Sequence, residues 1–330
     1  MSKKKTKEVV NNDDVTVDNF TMDSSYEVIN PDSLLDMLSC TLDGEYYVPP
    51  ISPNRLTKIK GMAAYHESAL DFKKNAMLSI FQSTQLLKYS DFEGFIYDYH
   101  MFGNAYLEPI YSRMNTVIGY RHVMSKYTRI KKDGSYWFLR NFNNHIELKN
   151  VLHFKAYDPN QNIYGMPTYM SALLSVLLNR EATLFRYKYY KNGSHAGFIL
   201  AINGEVKKTN MEKIADNLKK TKNDGNFRNL LVHLPKGDKD SVQLIPISQI
   251  ATKDEFVNIK DVSRDDILAV HRVPLALMSI QASNAGGFGD LSKIAKVYHM
   301  IEMLPVINKL KDANKETGQK IFDFSDFKLQ

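Results

Sequence analysis

Five acidic side chains lie close enough in the sequence to suggest metal-assisted chemistry. Clustered carboxylates can hold the divalent cations of a nuclease, and five lie within thirteen residues: Asp254, Glu255, Asp261, Asp265 and Asp266. On a helix, Asp254, Asp261 and Asp265 share one flank, directly beside a row of basic residues. That arrangement is typical of ion pairs on a solvated helix face. The sequence therefore favours ion pairing over metal-dependent cleavage.

Other catalytic motifs do not occur in the sequence. A phosphate-binding loop needs G-x-x-x-x-G-K-[ST], and no such string is present. The glycine-rich stretch 286–289 follows no apolar strand, which argues against a dinucleotide-binding loop. The nine histidines include no H-E-x-x-H pair, and His271 is predicted to be a satisfied histidine at a helix end. No cofactor and no metal ion is expected.

The row of basic residues beside these carboxylates comprises Lys253, Lys260 and Arg264. With Lys253 as origin and 100° per residue, Lys260 and Arg264 fall within about 20° of it, so they form one stripe along a helix. The helix leads into a loop of small residues, which cannot pack a core because glycine has no side chain to bury. We expect this loop to be mobile and exposed, with its candidate contact residues being Gln281, Ser283, Asn284, Ala285, Gly286, Gly287, Phe288 and Gly289.

Two long helices are predicted to position these features. The first, residues 167–191, is leucine-rich and ends at Asn192-Gly193. The second, residues 252–272, opens with the capping box Thr252/Glu255, and a second cap at Ser263/Asp266 suggests a kink. Between them the sequence predicts strands at 197–202, 229–234 and 242–246 and a lysine-rich helix at 210–222. This small α/β unit would project from the body on the two helices.

The remaining sequence predicts a mixed α+β body. Residues 1–30 are acid-rich and without periodicity, as a disordered arm would be. Amphipathic helices are expected at 54–87, a further helix at 91–111, and a last helix from 291 to about 313. A small antiparallel sheet is expected from the alternating segments 116–130 and 135–139, joined by a turn at Asp133-Gly134, with one more strand at 151–154.

The charge of the chain is unevenly distributed. The net charge of the 330 residues is +6. Residues 1–50 carry four lysines against ten acidic residues, so the remaining 280 carry 39 basic against 27 acidic residues. A basic body of this kind favours a polyanionic partner, with nucleic acid first, although solubility alone would also account for it. Cys40 is the only cysteine, which predicts folding in a reducing compartment, and no apolar run approaches the length of a membrane span.

Several sequence strings, in order, resemble the portal proteins of tailed bacteriophages, in particular the PBSX-type branch. The strings are Asp158-Pro-Asn-Gln-Asn-Ile-Tyr-Gly-Met-Pro, Leu177-Leu-Asn-Arg-Glu-Ala-Thr-Leu-Phe-Arg, Tyr189-Tyr-Lys-Asn-Gly-Ser-His-Ala-Gly-Phe-Ile-Leu, Lys253-Asp-Glu-Phe-Val-Asn-Ile-Lys, Arg264-Asp-Asp-Ile-Leu-Ala-Val-His-Arg-Val-Pro and Gly286-Gly-Phe-Gly-Asp. The likeness extends from about residue 49 to 310. It is carried by the order and spacing of the strings together.

The resemblance implies a division of the chain into named parts. After the disordered acidic arm 1–30, residues 31–166 would be the wing, made of helices and a small antiparallel sheet. Residues 167–192 and 251–276 would be the two stem helices, and residues 193–250 the clip between them. The tunnel loop would be 277–290, and 291–330 a channel-side helix returning to the wing, with the carboxy-terminal crown short or absent.

The resemblance also implies a function. A homo-oligomeric ring, usually a dodecamer, would stand at one capsid vertex in the virion after assembly in the host cytoplasm. Double-stranded DNA would pass through it, driven by a separate terminase, so the chain itself would not be an enzyme. Further implied partners are the major capsid and scaffolding proteins and a head-completion or adaptor protein, with no membrane. The clip would meet terminase, its candidate contacts being Lys207, Lys208, Lys213, Lys219 and Lys220, for which a solvated helix face is the alternative.

Repeated around a ring, the basic stripe would give bands of positive charge that act on phosphates without reading sequence. Phe288 would either press on the DNA or anchor the tunnel loop to its neighbour. The leucine-rich helix 167–191 offers apolar surface for subunit contact, with core packing as the alternative. Two other classes stay open at this point, a metal-dependent nuclease and a monomeric DNA-binding module.

Overall fold

The computed structural model describes residues 16–18, 40–141, 144–191, 198–203, 230–234, 242–246, 252–280 and 290–328. The chain divides into two compact units. One comprises Met1–Val28 and Glu181–Lys260, and the other Ile29–Arg180 and Asp261–Gln330. The predicted clip, 193–250, comprises fewer residues than the smaller unit, which also includes residues 1–28 and one end of each long helix. The boundaries of wing, stem and clip stay a prediction.

The helices of the described chain are numbered in chain order. They are α1 (Pro53–Lys60), α2 (Ala64–Ile80), α3 (Tyr89–Phe102), α4 (Leu173–Lys191), α5 (Thr252–His271), α6 (Leu291–Tyr298) and α7 (Leu304–Thr317). Short 3-10 turns stand at Met170–Ala172 and Leu275–Met278. A π-helical turn, His299–Met303, joins α6 to α7. It ends just before Pro305, whose ring and missing N–H do not fit a regular helix interior.

The strands form sheets in both units. In chain order they are β1 (Thr16–Asp18), β2 (Thr41–Asp43), β3 (Tyr46–Val48), β4 (Phe81–Gln82), β5 (Asn104–Tyr111), β6 (Val117–Val123), β7 (Thr128–Lys131), β8 (Tyr136–Asn141), β9 (Asn144–Leu148), β10 (Leu152–Lys155), β11 (Phe198–Asn203), β12 (Leu230–Leu234), β13 (Val242–Pro246) and β14 (Asp323–Phe324).

Within the larger unit, the strands between α3 and α4 belong to two antiparallel sheets rather than the single sheet predicted. One has the order β10-β5-β6 and the other β2-β3-β7-β8-β9. The predicted strand at 151–154 is confirmed as β10, in which Leu152 pairs with Leu107 of β5. β14 pairs with β4, so Asp323 and Phe324 lie beside the end of α2.

The core of the larger unit is rich in aromatic residues. Phe81 and Phe92 stack with ring centroids 3.9 Å apart, and Phe95 meets Phe154 edge to face at 5.2 Å. Phe322, fully buried, contacts three of these rings. Apolar residues of α2, α3 and α7 complete this cluster. Burial of such large rings stabilises the packing of α3 against the rest of this core.

The smaller unit contains a sheet with the order β1-β12-β11-β13. The predicted strands at 197–202, 229–234 and 242–246 are confirmed as β11, β12 and β13, of which β11 and β12 are parallel. The lysine-rich helix predicted at 210–222 lies outside the described residues. One expectation for this unit differs from the structure: Thr16–Asp18, placed by sequence in a disordered arm, forms an edge strand antiparallel to Leu231–His233.

Three helix predictions require correction. The helix expected at 91–111 ends at Phe102, because Gly103 adopts a left-handed conformation (φ +67°) that caps α3, and Asn104–Tyr111 is strand β5. The leucine-rich helix begins at Leu173 and not at Pro167. The second helix start expected at Ser263 does not occur, since α5 is assigned as one continuous helix. Instead of capping, the Ser263 hydroxyl accepts a hydrogen bond of 2.8 Å from the amide of Asn179.

Candidate functional site

Helix α5 carries the three residues of the predicted basic stripe, and what the structure shows of their burial differs. Lys253 lies in the first turn of the helix, in a part whose side chains are outside the described set. Lys260 is half-buried. Arg264 is only 7% exposed. Arg264 therefore lies on the stripe side of α5 as a buried residue, and the prediction that the stripe lines a DNA channel stays untested at this position.

Two carboxylates bind the Arg264 guanidinium. Its Nη1 lies 2.9 Å from Asp261 Oδ1, and its Nε lies 2.8 Å from Asp265 Oδ1. Burial lowers the pKa of the guanidinium, but the hydrogen bond to Asp265 and the charges of Asp265 and Asp261 outweigh it, so the pKa is raised. One cation with two anions leaves this turn of α5 with a net negative charge. Arg264 acts here as the partner of two carboxylates and does not extend a positive surface.

The same contacts decide the role of the acidic cluster. Asp261 and Asp265 are confirmed as ion-pair partners, as the flank pattern predicted. Asp266 Oδ2 accepts a hydrogen bond of 3.2 Å from the Ser175 hydroxyl of α4. The side chains of Asp254 and Glu255 lie outside the described set. Among the residues that the structure describes, no group of three His, Cys, Asp or Glu side chains is placed to hold a metal ion.

The predicted contact loop and the predicted terminase-facing lysines lie outside the described residues. This concerns 281–289 of the loop, and Lys207, Lys208, Lys213, Lys219 and Lys220 between β11 and β12. The flanks of the loop are described. Before it, Ser279 adopts a left-handed backbone conformation (φ +58°). After it, the Asp290 carboxylate accepts the backbone N–H of Lys293 at 3.1 Å and caps α6.

Helix α4 packs on one side and is exposed on another. Leu173 and Val176 are buried in the core, which fits the core-packing interpretation of this helix. Leu174 and Leu178, one turn apart, are 53% and 51% exposed, which fits the contact interpretation. Core packing is therefore confirmed for the buried side of the helix, and subunit contact through its exposed side stays a prediction.

A buried group of basic and aromatic side chains lies where α5 ends, and only His271 of this group was predicted from the sequence. His271 Nε2 is 2.9 Å from His66 Nδ1 of α2, and the Tyr169 ring stacks on His271 with centroids 5.3 Å apart. Lys73 of α2 is also buried. Its burial lowers the pKa of the Lys73 ammonium, as does the charge of Arg272, while Glu302 opposes the change. The prediction that His271 is a satisfied helix-end residue is confirmed, although its partner 205 positions away could not be read from sequence.

The outward side of α6 and the following π turn is apolar, which the sequence reasoning missed. Val297, Met300, Ile301 and Leu304 are between 38% and 58% exposed. Beside them lies an open cavity of about 440 Å³, lined mainly by apolar atoms and bordered by Arg272, Pro274 and Glu302. The available signal was the spacing i, i+3, i+4, i+7 of these four residues, which is that of a contact face on a helix.

No helix of the described part of the chain has both the length and the apolar character needed to cross a bilayer.

Comparison with known proteins gives concordant results. A family model described as "Phage portal protein" matches residues 66–317. A protein named "Probable portal protein" from Escherichia phage P2 is 38% identical over 315 residues, covering 94% of this chain and 91% of that protein. A second one with the same name, from Haemophilus phage HP1, is 32% identical over 293 residues, covering 86% and 85%.

Among solved structures, a chain in the neck of a native gene transfer agent particle, computed with C12 symmetry, aligns with a TM-score of 0.55 at 12% identity. The alignment covers 77% of this chain and 78% of that chain. At that identity the likeness shows the fold.

Proposed function

This chain belongs to the phage portal protein family, and we propose that its copies close into a ring at one capsid vertex, through which double-stranded DNA enters and leaves. Portal proteins are structural conduits of the virion and not enzymes. The observation that carries the proposal is the family match over residues 66–317, which includes both long helices, strands β11 to β13 and the loop 281–289. The PBSX-type branch stays a prediction.

The proposed subunit number is twelve. It is supported by the fold shared with the neck protein whose particle was computed with C12 symmetry. A ring requires that one face of each copy meets a different face of the next. The apolar residues exposed on α4 and on α6 give this chain the surface for such contacts.

The proposed DNA path is lined by Lys253 and Lys260 of α5 and by the small residues of the loop 281–289. Lysine attracts phosphates without reading base sequence, so duplex can move past it in any register. Small loop residues allow each copy to adapt to a helical substrate whose symmetry differs from that of the ring. Arg264 is left out of this lining because its charge is bound to Asp261 and Asp265.

The proposed partners follow from the same role. A separate terminase supplies the ATP-driven force, docking on the clip 193–250, with the lysines between β11 and β12 as its candidate contacts. A head-completion or adaptor protein replaces terminase after packaging, and the major capsid and scaffolding proteins surround the ring. Assembly takes place in the host cytoplasm.

Mass photometry of the purified chain tests the proposal, with negative-stain imaging of the same sample. We expect a ring with a mass about twelve times the 37.9 kDa of one chain. A particle that stays at the monomer mass under assembly conditions would contradict the proposal and favour a monomeric DNA-binding module. Magnesium-dependent cleavage of DNA, lost on replacing Asp261 and Asp265 with Asn, would instead favour the nuclease.

A further inference from the structure

Helix α6 and the turn after it are apolar on two opposite sides. Tyr298, Met303 and Ile307 face the core and are buried. Val297, Met300, Ile301 and Leu304 lie on the outward side, here named the α6 face, and are substantially exposed. A helix that is apolar on both sides is normally covered on both sides. Within the part of the chain that the structure describes, only one of them is covered.

A second exposed apolar surface lies on α4. It consists of Leu174 and Leu178, which are more than half exposed and one helical turn apart. The hydroxyl of Ser175, next to Leu174, binds the carboxylate of Asp266 at 3.2 Å. This contact brings an exposed acidic side chain to the margin of the leucine pair. These three residues, Leu174, Leu178 and Asp266, are named the α4 face.

The two faces carry opposite charges at their margins. The α6 face adjoins the open cavity beside Val297 and Ile301, which can receive a leucine side chain. Lys293 and Lys296, both exposed on α6, flank it, and Lys293 also pairs with Asp290 at 3.3 Å. Asp290 offsets the charge of Lys293, and Glu302 offsets that of Arg272, so Lys296 gives this margin its net positive charge. The margin of the α4 face carries the negative charge of Asp266. Pairing of either face with its own copy would place like charges together, whereas pairing of one with the other would not.

We infer that the α6 face of one copy receives the α4 face of the next copy, and that the ring closes through this contact. The inference rests on the proposed function, since the ring supplies the second copy. It goes further in naming the two surfaces. Because the faces differ, each copy uses one of them toward each neighbour, as a closed head-to-tail ring requires.

Two double variants test the inference. Leu174→Asp/Leu178→Asp damages only the α4 face, and Val297→Asp/Ile301→Asp damages only the α6 face. All four positions are exposed, so we expect circular dichroism and thermal unfolding close to wild type. Each variant alone should lose rings by at least about tenfold in mass photometry. Met114→Asp, at an 86% exposed position in the β5–β6 turn, is the matched control and should still form rings.

Mixing the two variants in equal amounts separates head-to-tail contact from other arrangements. One intact pair of faces then remains for each two chains, so the mixture should form a particle of two chains and no ring. Rings from either variant alone would overturn the inference, as would dimers formed by one variant alone, which indicate a face pairing with itself. If the wild type forms rings in the same experiment, only the named contact fails. If the wild type does not, the proposed function fails.

Disulfide crosslinking gives an independent measurement. The single native cysteine, Cys40, can be replaced by Ser, so that only the introduced residues react. In that background Leu178→Cys/Ile301→Cys should give a ladder of covalent oligomers longer than dimers on oxidation. Met114→Cys/Ile301→Cys is the control and should give no ladder. A ladder from the control alone would contradict the contact.

Discussion

Four histidines of the larger unit are buried or half-buried, and their surroundings keep the rings neutral. Burial lowers the pKa of His66 to about 4 and that of His153 to about 3, in the second case with a contribution from Lys155 and Lys309. Burial, with the charges of His66 and Lys73, lowers the pKa of His271 to about 2. The pKa of His100 is also lowered well below its usual value, mainly by burial. At the contact between His66 and His271, one neutral ring donates to the other.

These rings predict acid sensitivity of the fold. In the unfolded chain the pKa of histidine is about 6.5. Above that pH the rings are neutral in both the folded and the unfolded state, so the histidines do not make stability depend on pH. As the pH falls below 6.5, the unfolded chain takes up protons that the folded chain does not, so stability decreases until the folded pKa values are reached. We expect the midpoint temperature of unfolding, or the midpoint urea concentration, to decrease as the pH is lowered from 6.5 to 4.5.

The contribution of one ring can be isolated with His153→Gln, which retains an amide able to donate to Asn104 Oδ1, 2.9 Å from the ring in the wild type. Below pH 6 the slope of the free energy of unfolding against pH should be smaller in this variant than in the wild type. The expected difference is about 1.4 kcal/mol per pH unit, the value for one proton. The control is His145→Gln, which changes an exposed ring stacked on Trp137. An unchanged slope in His153→Gln would show that this ring is charged in the folded protein.

At the scale of elements, the junction between α3 and β5 depends on two glycines. Gly103 has a φ of +67°, and a Cβ there would lie 2.4 Å from the backbone carbon of Met166. A Cβ on Gly165 would lie 2.2 Å from the carbonyl oxygen of Gly103. The side chain of Asn104 holds the two segments together, donating to the Gly165 carbonyl at 2.8 Å and accepting its N–H at 2.7 Å. Only residues without a side chain allow the backbones to approach this closely.

Gly103→Ala should therefore destabilise the chain through both strain and overpacking, by roughly 2–4 kcal/mol. The matched control is Gly134→Ala, where φ is also positive (+84°) but a Cβ would meet nothing within 4 Å. It should cost only the conformational part, about 1–2 kcal/mol. Urea unfolding of the two variants beside the wild type measures the difference. Equal losses would mean that the close approach to Met166 relaxes freely.

The elements of the fold differ in how well the sequence predicts them. Helix α5 and strands β11 to β13 were predictable because their caps, turns and apolar spacing agree with one another. The first six residues of β5 are all buried, so the strand lacks the alternation that identifies a half-buried strand and was interpreted as a continuation of α3. Gly103 was the available sign of the helix end.

The candidate site was predictable in the same limited sense. Periodicity placed Arg264 on the side of α5 that also carries Lys253 and Lys260, and it placed Asp261 and Asp265 on the adjoining flank. It could not show that two carboxylates would enclose the guanidinium, because that depends on side-chain reach and burial. The exposed apolar residues of α6 escaped notice because exposure is a property of the folded chain. From sequence alone, Val297 and Ile301 would be predicted to be buried core residues, as apolar residues of an amphipathic helix usually are.

For the whole molecule, the excess of positive charge outside residues 1–50 gives the DNA proposal its physical basis. For contact with DNA, the position of the positive charges matters more than the net charge of the chain. Around Arg264 the positive charge is cancelled by Asp261 and Asp265, and Asp266 adds a further negative charge. The proposed contact of α5 with phosphates is therefore limited to the turns that carry Lys253 and Lys260. A charge reversal designed to test the DNA path must leave Arg264 unchanged, because removing it would expose two carboxylates to each other and weaken the fold.

Lys253→Glu/Lys260→Glu should leave rings intact and reduce DNA packaging by at least about tenfold, because reversed charges repeated around the ring repel the phosphates they would otherwise attract. Packaging is measured as nuclease-protected DNA per particle when the variant supplies the portal in infected cells, and ring mass is measured on the purified chain. Lys311→Glu/Lys315→Glu, on exposed positions of α7, changes the net charge equally and should package normally. Normal packaging by the α5 variant would remove both lysines from the DNA path. Loss of packaging by both variants would show that the net charge of the ring, and not the position of the α5 lysines, governs passage of the duplex.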